Sequence, residues 1–331
     1  MRKRLLATLV VALLASSCGS SGSATTAGSP GAPPPQKVTI QLDWYPNPDH
    51  VGLYTGIDRG FFAAAGLDVQ PISPSDVSDA IKLVAAGRVD LGISYEPELF
   101  FAQQQHIPAT AVAAMVPTAL NSIIARGDRG IHSVRDLRGK TVGYDGTPST
   151  AAFLSTVLAH AGLDPQTAVH RVDLNFNLLP PLLSGKVDAI AGGFQNIEGI
   201  DAADRGLHPV IFPVDHYGVP TYDELVVIAN SQRLAGDPAY RAMVRRFVAA
   251  LARATNWARH HQAAAIAVMR RESYRDYQND IARSVPATLR LLRTSALSVP
   301  AWNRFGMWMY RSGLLHSKPD AAALVHSMGP P

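Results

Sequence analysis

The 331-residue chain exceeds a usual single domain, which predicts two compact lobes, and 47% hydrophobic with 17% charged residues excludes a disordered protein. Its formal net charge of +4 falls to +1 once Arg2, Lys3 and Arg4 are set aside as a leader, leaving 27 basic against 26 acidic side chains. That balance removes the electrostatic case for nucleic acid or for binding to a membrane surface through charge. Cys18 is the only cysteine, so a disulfide, a cysteine-ligated zinc or a Cys-x-x-Cys redox pair within one chain is excluded.

The first predicted element is an export leader. Met1-Arg2-Lys3-Arg4 is basic, Leu5 to Ala15 is apolar but too short to span a bilayer, and Ser16-Ser17-Cys18-Gly19 supplies small residues. This resembles a bacterial lipoprotein signal, which implies removal of residues 1–17, lipidation of Cys18 and a place on the extracytoplasmic face of the cell membrane. Ala15 stands three residues before Cys18, where that pattern usually has Leu, so secretion without lipid is the alternative. Residues 18–36 form a Ser/Gly/Thr/Ala/Pro tract ending in Pro33-Pro34-Pro35, the composition of a flexible tether.

Beyond the tether, strands and helices alternate. Strands are expected at Val38–Leu42, Leu67–Ile72 and Val89–Ile93, separated by helical patterns that Gly66 and Gly87 close. A second unit of the same kind starts near Asn121, with strands at Thr141–Tyr144, Val169–Leu174 and Val187–Ala191. Ala85-Ala86-Gly87-Arg88-Val89-Asp90 and Leu183-Ser184-Gly185-Lys186-Val187-Asp188 echo one another, each a helix stop before a buried strand. Leu225–Ala229 reads as a strand returning to the first unit. The expected fold is α/β, two mostly parallel sheets joined by a two-crossover hinge, with lobe 1 at 37–118 and 220–331 and lobe 2 at 119–219. A cleft between lobes, outside the carboxyl ends of the strands, is where a small ligand would bind. The arginines from Arg241 to Arg259 are spaced as the solvated face of a long helix.

Four strand-to-helix junctions face that cleft. The most crowded is Leu42-Asp43-Trp44-Tyr45-Pro46-Asn47-Pro48-Asp49-His50, where Pro46 and Pro48 make a rigid turn. Its bland alternative is an ordinary turn with Trp44 in the core and Asp49 as N-cap. The others are Ser94-Tyr95-Glu96-Pro97-Glu98, Tyr144-Asp145-Gly146-Thr147-Pro148-Ser149-Thr150 and Gly192-Gly193-Phe194-Gln195-Asn196-Ile197-Glu198. Gly146, Thr147 and Ser149 could cradle an anion or a polar tail; alternatively Thr147 is a plain N-cap with Pro148 first in the helix. No Gly-x-Ser-x-Gly elbow or His-Glu-x-x-His helix is present, and His260-His261 point to different sides of a helix. Neither catalysis nor a metal or cofactor is therefore expected, and the carboxylates Glu96, Glu98, Glu198 and Glu224 look like hydrogen-bond acceptors.

A family resemblance runs from roughly Val38 to Ala229, through stretches that include Gly92–Pro97, Gly185–Ala189, Tyr217–Tyr222 and three more telling groups. Asp43-Trp44-x-Pro46-Asn47-x-x-His50, Arg59-Gly60-Phe61-Phe62 through Gly66-Leu67, and Leu137-x-Gly139-Lys140 resemble the solute-binding proteins of ABC importers for thiamine pyrimidine precursors. The last two are shared with sulfonate, nitrate and riboflavin binders; the first is more specific. The resemblance implies a type II periplasmic-binding-protein-like clamp, a monomer, that closes on a flat aminopyrimidine and delivers it to a permease and its ATPase. Trp44 would stack on the ring and Glu198 would accept from its exocyclic amine. Tyr95, Tyr144 and Tyr222 would form the opposite wall and rim, with Asp43, Asn47, His50, Glu96 and Asn196 as further contacts. The same superfamily holds a fungal enzyme that makes the pyrimidine from its own histidine with iron and a cysteine-rich loop. Here that loop reads Pro220-Thr221-Tyr222-Asp223-Glu224, and Glu98 stands at the donor-histidine position, which disfavours a synthase. The late helices lie outside the resemblance, and Trp302, Phe305 and Trp308 are expected to pack them onto lobe 1.

Overall fold

A computed structural model describes residues 34–76, 79–175, 177–274 and 280–328; the leader, Cys18 and most of the tether lie outside the described residues. Among the described residues, ten strands form two sheets: β1 (Gln36–Gln41), β2 (Leu67–Ile72), β3 (Leu91–Ser94), β4 (Ala109–Val116), β5 (Asn121–Arg126), β6 (Thr141–Tyr144), β7 (His170–Asp173), β8 (Ala189–Phe194), β9 (Pro209–Pro213) and β10 (Leu225–Asn230). The first sheet runs β2-β1-β3-β10-β4 and the second β7-β6-β8-β5-β9. In each, one strand is antiparallel to its neighbours, and it is the strand that has just crossed from the other sheet: β10 in the first, β5 in the second. The sheets are mixed: β1 pairs in parallel with β2 and β3, and β6 with β7 and β8. Helices cover both faces, so β4 and β10 are buried at every position, and their runs of Ala, Val and Ile are what a two-sided buried strand requires.

The sequence echo marks equivalent places in the two lobes. Helix α1 (Val51–Asp58), α2 (Phe61–Ala64), α3 (Asp79–Ala85) and α4 (Glu96–Gln104) belong to the first lobe; α5 (Pro148–His160), α6 (Leu179–Ser184) and α7 (Glu198–Asp204) belong to the second. Gly87 after α3 and Gly185 after α6 have φ of 66° and 74°, the left-handed conformation that stops a helix. Asp90 then accepts from the Thr39 N–H at 3.0 Å, and Asp188 from the Thr141 N–H at 2.9 Å. Each aspartate ties its strand entry to the neighbouring parallel strand. The echoed Gly-basic-Val-Asp is thus a strand-registration device used twice.

The tail holds α8 (Ser231–Gly236), α9 (Pro238–His260), α10 (Gln262–Glu272), α11 (Ile281–Leu291), α12 (Val299–Arg311) and α13 (Ala321–Leu324). In α9, Tyr240, Met243, Val244, Phe247 and Leu251 make a buried stripe at helical spacing, and the arginines fall on the other side. Phe247 stacks on Phe62 of α2 with ring centroids 5.0 Å apart. The aromatic part of α12 does more than cover the first lobe. Phe305 meets Phe100 of α4 at 6.2 Å and also Phe153 of α5 at 6.4 Å, and Trp308 meets Phe153 at 5.9 Å. The expectation of a tail packed on lobe 1 is therefore too narrow: apolar contact carries α12 across to the second lobe. Gly306 permits the close approach of α12 to α4 in the first lobe, because a Cβ there would lie 2.5 Å from the Phe100 ring.

Candidate ligand-binding site

A cavity lies between the lobes, about 50 Å³ of enclosed space opening into about 650 Å³ when the solvent at its mouth is counted. Asp43, Trp44, Asn47, Tyr95 and Pro97 form its first-lobe wall. Asp145, Thr147, Ser149, Thr150 and Phe153 at the start of α5, with Phe194, Ile197 and Glu198 at the start of α7, form the facing wall. Asn121 and Glu224, one from each crossover, close the hinge end. Among the described residues that line it there is no Lys, Arg or His. A neighbouring chamber shares Trp44, Leu178, Ile197 and Glu198 and is bounded beyond them by α6 and α7.

The 43–50 turn is held by its own polar groups. Asn47, not Asp49, is the N-cap: its Oδ1 accepts from the Asp49 N–H at 2.9 Å, and its own N–H donates to His50 Nδ1 at 3.2 Å. With Nδ1 accepting, Nε2 carries the ring proton and donates to Asp43 Oδ1 at 2.9 Å; Asp43 Oδ2 accepts from Tyr95 OH at 2.8 Å. His50 is fully buried behind Asp43, so it positions the wall and does not line the cavity. Trp44, the residue the bland reading would place in the core, is half-buried at the cavity.

The start of α5 does not cradle an anion. Thr147 is the N-cap, accepting from the Thr150 N–H at 3.2 Å, and Pro148 is first in the helix. The Thr147 N–H that an anion would need donates to Asp145 Oδ1 at 2.9 Å, and the Thr147 and Thr150 hydroxyls donate to the same carboxylate at 2.8 and 2.9 Å. The chain supplies its own anion here. Gly146 is exposed, with φ 81° and a would-be Cβ 2.8 Å from Asp173 Oδ1, so its place is explained by the turn alone.

The two glutamates of the cavity share a design. Glu198 Oε2 accepts from the Phe194 N–H at 2.8 Å, and Glu224 Oε2 accepts from the Leu120 and Asn121 N–H groups and Tyr222 OH at 2.6, 2.8 and 2.9 Å. In each the other oxygen has no hydrogen bond to the described residues. Burial pushes both carboxyls up to about 7, and it does the same to Glu98, whose Oε1 accepts from Ser149 Oγ across the cleft at 2.7 Å. Tyr95, Thr147, Ser149 and Thr150 have all spent their hydroxyl protons on carboxylates, so the free oxygens of Glu198 and Glu224 are open to a ligand, as acceptors once these carboxyls ionise.

Several expected contacts sit elsewhere. Glu96 is buried below the cavity, its Oε2 accepting from the Asp223 N–H at 2.7 Å, where it holds the second crossover. Tyr222 is buried against Phe305 at 4.7 Å and serves Glu224, so it is not a rim residue. Tyr144 is half-buried beside the second-lobe core and outside the lining. Asn196 is a cross-lobe tie: its Nδ2 donates to Asp49 Oδ1 and Thr288 Oγ1, both at 2.7 Å. Asp49 is fully buried, and burial raises its carboxyl to about 6. Arg283 of α11 also pairs with Asp204 of α7, so the two lobes are held together. Sequence reasoning did not single out Asn121, Asp145, Thr150 or Phe153. Asp145 and Thr150 lie inside a stretch it flagged, whereas Asn121 and Phe153 carried no local signal.

These carboxyls set a pH dependence. Glu98, Glu198 and Glu224 go from a usual 4.5 to about 7 on folding, so the folded chain binds more protons than the unfolded one between those values. Their contribution is complete below pH 4.5 and is lost as pH rises through 7, with a slope of up to about 1.4 kcal/mol per pH unit per group. Of the three, Glu224 is the most buried, only 2% exposed. Thermal melting of the unliganded protein is expected to give a lower midpoint at pH 8 than at pH 5.

Two lobes of like topology, joined by two crossovers over a cavity of acceptors, define a periplasmic-binding-protein-like clamp. The alkanesulfonate-binding protein SsuA of Xanthomonas axonopodis pv. citri, bound to MOPS, has the same fold, with a TM-score of 0.69 at 16% identity over 89% of this chain and 100% of that one. The chain belongs to the NMT1/THI5-like family, which matches residues 47–265. It is 35% identical to a thiamine biosynthesis protein of Haemophilus influenzae over 226 residues, 68% of this chain and 70% of that one. It is 40% identical to a formylaminopyrimidine-binding protein of Halalkalibacterium halodurans over 197 residues, 59% of each chain. A 4-amino-5-hydroxymethyl-2-methylpyrimidine phosphate synthase of Aspergillus parasiticus is 27% identical over 243 residues, 69% of this chain and 68% of that one.

Proposed function

We propose that the chain is the solute-binding component of an ABC importer, held outside the cytoplasmic membrane through Cys18, and that it binds an unphosphorylated thiamine-related aminopyrimidine of the hydroxymethyl or formylaminomethyl type. The observation that carries this is the chemistry of the cavity: open acceptors, an aromatic wall at Trp44, and no cation among the described lining residues. A sulfonate, a nitrate or a pyrimidine phosphate would meet Asp43, Asp145, Glu198 and Glu224 without a positive charge to offset them. An aminopyrimidine brings N–H donors and a flat ring, and a buried acceptor gains most from such a donor. The lack of a lining cation also weighs against the synthase reaction, whose named product is a phosphate, and Glu98 is already committed to Ser149. Binding followed by delivery, without turnover, is the role this cavity suits.

The test is a thermal-shift panel. At a hundredfold excess over its dissociation constant, the aminopyrimidine is expected to stabilise the protein by about 2.7 kcal/mol and to quench Trp44 fluorescence. A shift with an alkanesulfonate or nitrate and none with pyrimidines would reassign the solute.

A further inference from the structure

The hinge end of the cavity contains a group whose orientation is fixed by its neighbours. Thr150 Oγ1 donates its only proton to Asp145 Oδ2 at 2.9 Å, so towards Asn121, 3.3 Å away, it can only accept. Asn121 must therefore turn its NH₂ to Thr150, which leaves Oδ1 as the other end of the amide. That oxygen is buried and has no partner among the described residues, in a side chain only 5% exposed that lines the cavity. Beside it, Glu224 holds both crossovers through Oε2 and leaves Oε1 without a hydrogen bond to the described residues. Neither residue belongs to the wall that the cavity shares with the neighbouring chamber, whereas Glu198 does.

We infer that Asn121 and Glu224 form a second recognition point for an N–H or O–H donor of the ligand, separate from Glu198, and that this point makes the hinge itself part of the specificity site. Asp145 and Thr150 are positioning residues: the carboxylate orients the hydroxyl, the hydroxyl orients the amide, and the amide presents an acceptor. A ligand lacking the matching donor would leave Asn121 Oδ1 unpaired in the closed clamp, a cost that falls on the wrong ligand only. Because Glu224 bonds the backbone of residues 120 and 121, the donor binds at the group that clips the two crossovers together. This inference rests on the aminopyrimidine reading and adds that two separated donors, not one, are required.

Calorimetric cycles test it. Three ligands are compared: the 4-amino-5-hydroxymethylpyrimidine, its analogue with hydrogen in place of the amino group, and its analogue with methyl in place of hydroxymethyl. Asn121→Ala is expected to weaken the parent about tenfold and to leave one of the two analogues unchanged, while Glu198→Gln is coupled to the other analogue. Thr150→Val, nearly isosteric, is expected to reduce discrimination at the Asn121 donor without lowering the unliganded melting temperature by more than a few degrees. Equal weakening of all three ligands by Asn121→Ala, or none of any, would overturn the inference while the pyrimidine reading stands. Failure of the unsubstituted protein to bind any of the three would remove both.

Discussion

Trp44→Ala is expected to weaken aminopyrimidine binding by about a hundredfold while the unliganded protein melts within a few degrees of the unsubstituted one. The ligand loses the burial of its ring against a large aromatic face, on the order of 1.5–3 kcal/mol, and a stacking contribution of about 0.5–1.5 kcal/mol. At 1.4 kcal/mol per tenfold, the sum lies between roughly 30-fold and roughly 1,600-fold. The fold loses little, because Trp44 is half-buried at the cavity and the turn is held by Asn47, His50 and Asp43. Equilibrium titration reads the loss. Unchanged affinity in a folded Trp44→Ala protein would reduce the 43–50 stretch to an ordinary strand-to-helix turn.

Glu198→Gln is the more selective change. The new side chain is expected to give its carbonyl oxygen to the Phe194 N–H, as Oε2 does now at 2.8 Å, and so to point an NH₂ at the cavity. A ligand amine then meets a donor where it had an acceptor. Losing a hydrogen bond to a charged group costs about 1.5–3 kcal/mol, so the aminopyrimidine should weaken roughly ten- to a hundredfold. The same variant should gain relative affinity for a pyrimidine carrying an oxo group in place of the amine. Binding of the aminopyrimidine at full strength by Glu198→Gln would mean that the neutral carboxyl is the working form and that the charged acceptor is dispensable.

Much of this was legible in the sequence, for identifiable reasons. The alternation of strands and helices follows from apolar runs punctuated by Gly66, Gly87 and Gly185, and the echo around Asp90 and Asp188 marks the same device in both lobes. Asp43, Trp44, Asn47, Tyr95, Thr147, Ser149 and Glu198 reach the cavity because strand ends in this topology point there. What local pattern could not give was pairing at long range. Asn196 reads as a cleft residue until Asp49, 147 positions away, takes its amide. Tyr222 reads as a rim residue until Phe305 covers it. Glu224 was visible only as an available carboxylate, because its partners Leu120 and Asn121 lie on the other crossover. The anion cradle failed for a local reason that could have been seen: Asp145 stands two residues before Thr147, at the spacing of an Asx turn, and takes the N–H an anion would need.

A cavity that selects donors and refuses anions is tested most directly by one calorimetric comparison at pH 7 of 4-amino-5-hydroxymethyl-2-methylpyrimidine, its monophosphate and an alkanesulfonate. Tight binding is expected of the first, at least a hundredfold weaker binding of the monophosphate, and no heat from the sulfonate. Binding of the monophosphate or the sulfonate as tight as that of the neutral pyrimidine would contradict donor selection at this site.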